Sequence, residues 1–438
     1  MAATSNNHRT VRAWCLYDWA NSAFATTVMA ALYPPFFRSL ATAAGVSESR
    51  ATAYWGYTAA LALLLVSLGA PVLGAIADFT GTRKRFLALF AGIGIAATAA
   101  ATLNGDDTWL LAAALFVTAN IGYAGANAFY ESLLPSVAGP DELDRISARG
   151  YAFGYLGGGI LLVINSMWVL KPELFGMPGT GFAVRASFFS VAVWWGVFSV
   201  PILRRVPEPP ADHAPGLTGN PIAAGFGRLV DTFRDIRRYR QLLLFLFAFW
   251  IYNDGVSTII KMATAYGDEI GIDLGHMIIA LVITQFVGFP CAILFGEMGV
   301  RIGTKRSILI GLAVYALICV LGFFMTTPLH FYLLAVMVGT VQGGTQALSR
   351  SLFASMVPRH KTAEFFGFFG ASGKFAGIFG PLLFAIVSQL TGQSRLSIFA
   401  LIAFFVVGAL VLLRLDEEAG AAAAREAESR TSQPGTRH

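Results

Sequence analysis

GAIADFTGTRK, residues Gly74–Lys84, and GEMGVRIGTKR, residues Gly296–Arg306, carry glycine, Gly-Thr and two basic residues in one register, about half the chain length apart. ESLLP ending at Pro135 and ASMVP ending at Pro358 repeat at nearly the same separation, as do Gly154/Gly158 and Gly373/Gly377. Matching separations at three places mark a duplication. Each copy of the first stretch is a short basic loop between apolar runs. Its glycines suit a tight turn and close helix approach, and Asp78 can bond a helix end or a basic side chain in one conformation and release it in another. The candidate gating set is Gly74, Asp78, Gly81, Arg83 and Lys84, with Gly296, Gly303, Lys305 and Arg306 from the second copy.

The surroundings of the repeat decide the class. Of 438 residues, 56% are hydrophobic and 13% charged, and the mean hydropathy is +0.64. No polar half balances an apolar one, so lipid is the solvent for most of the chain. At about 20 apolar residues per span, the hydrophobic content makes about twelve helices. A soluble globule, a single anchor helix and an eight-stranded barrel are excluded. The expected fold is an all-α polytopic membrane protein, with twelve transmembrane helices in two pseudo-symmetric six-helix bundles. Residues 1–12 read as a tail, 13–203 as the first bundle, 204–239 as a linker, 240–414 as the second bundle and 415–438 as a disordered tail. The linker opens Pro-rich and closes with Phe226, Leu229, Val230, Phe233 and Ile236 on one helical face opposite Arg234, Arg237 and Arg238, the pattern of an interfacial helix.

The formal net charge of +6 does not call for nucleic acid, because basic residues of polytopic proteins collect on the cytoplasmic side. With the termini inside, only Arg38, Arg50, Lys171, Arg185 and Arg395 fall outside, and Lys261, Arg350 and Lys374 fall within spans. Both termini are therefore expected to be cytoplasmic.

The spacing Gly74-x-x-x-Asp78-x-x-Gly81-Thr82-Arg83-Lys84 resembles the signature loop of the major facilitator superfamily, with Phe79 and Thr82 where that signature usually has basic residues. WCLYDWANSAFATTV (Trp14–Val28), NIGYAGANAFYESLLP (Asn120–Pro135) and VQGGTQALSRSLFASMVPRHKTAEFFGFFGASGKFAGIFGPLLF (Val341–Phe384) resemble its vacuole-effluxer-like family. That likeness implies the major facilitator fold and a solute path between the bundles. Fungal members are associated with exporting amino acids from the vacuole. The short loops here resemble the prokaryotic members, which implies the inner membrane of a prokaryote.

Charges inside spans cost a few kcal/mol each, so they persist with a partner or a task. Here Asp18, Glu131 and Asp254 balance Lys261, Arg350 and Lys374. Asp18 and Asn21 fall on the first span, and Asn120, Tyr123, Asn127 and Glu131 form a stripe on the fourth. Asp254 lies on the seventh, Gln342, Gln346 and Arg350 on the tenth, and Lys374 at mid-span on the eleventh. In the superfamily the first, fourth, seventh and tenth helices line the central cavity. These eleven residues are the candidate solute or proton path. An Asp254–Lys374 pair across the cavity and Glu131 as proton carrier are the sharpest expectations. Lys261, near a span end, can snorkel. The spaced glycines read as packing seams between bundles.

The six histidines lie in loops, tails or span ends, and Cys15, Cys291 and Cys319 show no paired spacing, so no metal or cofactor is implied. Around Gly373-Lys374 a phosphate-binding loop is ruled out by Phe368 and Phe375. The expected function is not enzymatic. It is secondary active transport of a small polar solute such as an amino acid, with protons a candidate coupling ion and a monomer as the working unit. A membrane-embedded ligand sensor and a lipid transporter on the same fold are the alternatives.

Overall fold

The structure, a computed structural model, describes residues 2–105, 108–209, 239–375, 377, 379–391 and 394–431. Among these residues there is helix and no strand. In chain order the long elements are α1 (Ala2–Ala23), α2 (Glu48–Thr80), α3 (Arg83–Ala100), α4 (Trp109–Ser132), α5 (Leu143–Leu170), α6 (Thr180–Arg205), α7 (Arg240–Glu269), α8 (Leu274–Ile302), α9 (Thr304–Phe323), α10 (Pro328–Ser355), α11 (Thr362–Phe375), α12 (Phe379–Thr391), α13 (Ser394–Ala400), α14 (Ile402–Leu413) and α15 (Glu417–Thr431). Nine helices among the described residues are long and apolar enough to cross a membrane. Large apolar side chains such as Leu294, Phe189 and Leu410 stand more than half exposed. That is the inverse of a soluble protein's surface and fits a lipid solvent.

Of the remaining expected spans, the tenth is the continuous but more polar α10, and the other two are modified helices. The first is already helical from Ala2, upstream of the expected boundary. It passes through a π-helical stretch, Phe24–Leu32, into a further helix at Tyr33–Ala43. Pro34 and Pro35 remove two backbone donors just after the widened stretch, which favours a change of hydrogen-bond register there. The expected eleventh span is divided into α11 and α12.

The chain folds as two compact units. One comprises Met1–Gly69, Lys84–Tyr130 and Phe153–Glu208, and the other Ala70–Arg83, Glu131–Ala152 and Pro209–His438. The second unit thus gathers, with the second half of the chain, two short pieces of the first half.

Glu417–Thr431 is a helix where composition leads one to expect a disordered tail. Its alanine run has the highest helix propensity, and Asp416 Oδ1 accepts the N–H of Ala419 at 2.9 Å as an N-terminal cap. Burial of Ala424 then ties it to the fold. The amphipathic part of the linker lies outside the described residues.

Candidate functional site

Three groups of polar side chains interrupt the apolar helices. In the first unit, Trp14, Tyr17, Asp18 and Asn21 recur at helical spacing on α1 and face α4. Asn21 Nδ2 donates to Asn127 Oδ1 at 2.5 Å. The Tyr130 hydroxyl donates to Asp18 Oδ2 at 2.7 Å, and Trp14 Nε1 donates to the Tyr130 carbonyl at 3.1 Å while its ring stacks on that tyrosine. Tyr123, half-buried, leans on Phe24 and Trp195. Asn120 turns back to the carbonyl of Phe116 on its own helix, and Glu131 sits half-buried in the last turn of α4. Gly154 and Gly158 close on Ser22 of α1. Their seam therefore lies inside this unit and not between bundles, because α5 backs directly onto α1.

The second unit repeats the amide bridge. Gln346 Nε2 on α10 donates to Asn253 Oδ1 on α7 at 2.6 Å, and the Tyr252 hydroxyl meets Ser349 Oγ at 2.6 Å. Gln342 is half-buried one turn away. Each half of the chain thus joins its first and fourth helices through paired carboxamides. Sequence reasoning found three of these four amides and missed Asn253, which neighbours Asp254 on α7.

Asp254 satisfies its carboxylate with backbone donors. Its oxygens accept the N–H groups of Phe379 at 3.1 Å and Gly380 at 2.9 Å, the donors left open at the start of α12. Lys261 Nζ donates to the Gly377 carbonyl at 3.2 Å, so the two charges on α7 hold opposite sides of the break. The Lys374 side chain lies outside the described residues. Gly380 is required here, since a Cβ would strike Thr258 Oγ1.

The third group surrounds the duplicated loop. Gly81 adopts φ +62° and Gly303 φ +96°, so both copies turn at a glycine of positive φ. Asp78, 1% exposed, takes the Arg83 guanidinium at 2.6 Å and the backbone N–H groups of Ala363 at 3.1 Å and Glu364 at 2.9 Å. It thereby caps α11, a helix from the other half of the chain, where a negative charge is favoured. Arg83 Nη2 donates to the Arg359 carbonyl at 3.0 Å. Gly74 lies so close to Ala363 that a Cβ would overlap its carbonyl. The Lys84 N–H caps onto Glu208 at 2.8 Å, within the first unit, and Arg306 is exposed.

The second copy works with different chemistry. Val300 stands where the first copy has Asp78, and the acid comes instead from Asp144 on α5, which accepts hydrogen bonds from Thr304 at 2.7 Å and from Ser351. Gly296 admits Ala148 of α5, and Arg145 pairs with both oxygens of Glu297 at 2.9 and 3.0 Å. Lys305 Nζ binds the carbonyls of Leu413 and Leu415. Arg350, 1% exposed, belongs to this closure. Its Nε donates to Ser147 Oγ at 2.9 Å, its Nη2 to the Ser147 carbonyl at 2.8 Å, and its Cζ lies 4.4 Å from the centre of the Tyr151 ring. Asp144, Ser147 and Tyr151 stand at helical spacing, a signal the glycine stripe on the same helix obscured.

The family described as "Vacuole effluxer Atg22 like" matches residues 6–425. The chain belongs to the Atg22-like family. An uncharacterised MFS-type transporter of Bacillus subtilis, YxiO, is 41% identical to this Atg22-like chain over 407 residues, 92% of the chain and 94% of the relative. Autophagy-related protein 22 of Kluyveromyces lactis is 26% identical, covering 84% and 81%. Among solved structures, the human organic anion transporter MFSD10 superposes with a TM-score of 0.72 at 14% identity, covering 93% of this chain and 99% of that one. The proton:xylose symporter XylE gives 0.70 at 14% identity, covering 97% and 98%. The Atg22-like chain therefore has the all-α major facilitator fold and is an integral, multi-pass membrane protein of a transporter family. Among the described residues no group of three or more His, Cys, Asp and Glu could hold a metal ion.

Proposed function

We propose that this protein is a secondary transporter that moves a small polar solute, an amino acid or similar, by alternating access in the inner membrane of a prokaryote. Both termini and the Asp78 closure lie on the cytoplasmic side, and the bundles over 13–203 and 240–414 act as the moving bodies of a monomer. The observation that carries this reading is the Asp78 closure itself. A carboxylate from the first half of the chain caps a helix of the second half through bonds that a small separation would break, which is what a gate requires. Asn21, Asn127, Asn253 and Gln346 supply the carboxamides that line the solute path, with Asp18, Asn120, Tyr123, Glu131, Asp254, Gln342 and Lys374 beside them. Glu131 and Asp18 are the candidate proton carriers. Export is supported by the effluxer description of the family.

Counterflow of radiolabelled amino acids in proteoliposomes tests the reading. Exchange above protein-free vesicles is expected, and binding without exchange would convert the proposal to a sensor. One observation favours lipid as cargo instead: a recess of about 420 Å³ between α7, α12 and α14, walled by Phe247, Trp250, Leu382 and Phe404, whose outer residues stand about half exposed. Scrambling of a fluorescent lipid by the same vesicles, with no solute exchange, would establish that reading.

A further inference from the structure

The C-terminal helix has no place in a gate built from the duplicated loops alone, yet one docked face of it reaches Arg359 there. Its first turn is anchored by the Asp416 N–H on Gln241 Oε1 at 3.1 Å. Gly420 seats on Met356 and Gln241, and Ala424 is buried. Glu428 Oε1 accepts the backbone N–H of Arg359 at 2.8 Å. Positions 416, 420, 424 and 428 recur every four residues, so one face of α15 makes all of these contacts. Arg359 is the residue whose carbonyl receives the Arg83 guanidinium. The helix is also held from the other loop copy, because the carbonyls bound by Lys305 belong to Leu413 and Leu415, which launch α15. Both loop copies therefore end on the same C-terminal segment, one through Lys305 and one through Arg359.

From this juxtaposition we propose that α15 is a latch of the closure and that Glu428 is its positioning residue. Glu428 fixes the peptide N–H of Arg359, which orients the following carbonyl-bearing turn toward Arg83. When α15 lifts, the Arg359 turn loosens and the bond to Arg83 is lost without any change at Asp78. The inference rests on the gate reading above and adds to it a part of the chain outside the transmembrane helices.

The test uses the full-length protein in nanodiscs, with its three cysteines replaced by alanine and Ala148→Cys as reporter. Ala148 is buried against Gly296 in the closure, so its thiol reacts only when the closure parts. Glu428→Ala, and separately a chain ending at Leu415, should raise the labelling rate about threefold or more, as loss of one hydrogen bond implies. Glu428→Gln keeps the accepting oxygen and should label within about twofold of the parent, which a role through charge alone would not allow. Parent-like labelling in Glu428→Ala overturns the latch, and it decides alone if the shortened chain does not fold. Asp78→Asn serves as the control. If it too leaves labelling unchanged, the gate reading fails, and not merely the latch.

Discussion

The carboxylate of Asp78 accepts the backbone N–H of Glu364 at 2.9 Å, across 286 positions of sequence. The same carboxylate holds Arg83 and the N–H of Ala363, so Asp78→Asn weakens three contacts at once and leaves a buried guanidinium without its counter-charge. A hydrogen bond to a charged group is worth about 1.5–3 kcal/mol, enough to move a closed-to-open ratio about tenfold or more. Turnover in proteoliposomes should fall by a similar factor, while solute affinity measured by binding stays within about twofold.

Gly74→Ala should reproduce the turnover defect by a different route. Its methyl group would meet the Ala363 carbonyl, which is backbone and cannot swing aside, and overpacking of this kind costs about 1–3 kcal/mol. No charge is left unpaired, so the thermal unfolding midpoint should fall less than in Asp78→Asn. Equal falls in both would mean that steric fit and charge are not separable here.

The amide bridges should behave as coupled pairs. A double-mutant cycle on Asn21→Ala and Asn127→Ala, read by thermal unfolding in detergent, should give a coupling of about 1 kcal/mol, typical of interhelical bonds in membranes. Solute affinity should drop in either single variant and fall little further in the double. Additive stability changes would show that the 2.5 Å contact contributes nothing.

Asp254→Ala removes the acceptor for two open N–H groups at the start of α12. Loss of a helix cap costs about 0.5–2 kcal/mol, so amide hydrogen exchange over residues 379–383 should accelerate about tenfold, and less in Asp254→Asn, which keeps one acceptor. Unchanged exchange would assign the helix start to packing around Gly380.

Glu417 stands half-buried at the head of α15. Partial burial pushes its carboxyl above the ordinary glutamate value, against the opposing pull of the Lys305 backbone N–H and ammonium. A group whose folded-state pKa lies above its unfolded one stabilises folding at low pH and loses that contribution as pH rises through the folded value. Docking of α15 should therefore weaken on moving from acid toward neutral pH, seen as faster tryptic cleavage after Arg425 with the trypsin rate normalised at each pH. Glu417→Gln should flatten that slope, and an unchanged slope in the variant would exclude Glu417 as its source.

The membrane class and the helical fold were legible because composition and spacing report them directly. Asp78 was legible as a group that bonds a helix end, though not which end. Arg350 shows the limit. Its helix face is readable from sequence, but whether that face meets solute or α5 depends on where Ser147 and Tyr151 arrive, a tertiary fact. Asp254 shows another, since the N–H groups of Phe379 and Gly380 that its carboxylate accepts belong to a break in the eleventh span that leaves no apolar-period signal. The alanine-rich C-terminus was misread because polarity was weighed above propensity, and the partner that fixes it, Met356, lies just past the end of α10.

The unlike chemistry of the two loop copies makes the two edges of the closure separately adjustable. At Asp78 a carboxylate meets a guanidinium and backbone N–H donors, whose directions are fixed, whereas at Asp144 it meets the hydroxyls of Thr304 and Ser351, which can turn about their C–O bonds. A duplicated protein whose two seams were chemically equal would respond alike to a change in either. Here a substitution at Thr304 or Ser351 removes a neutral donor from one seam and leaves the buried charge pair of the other in place.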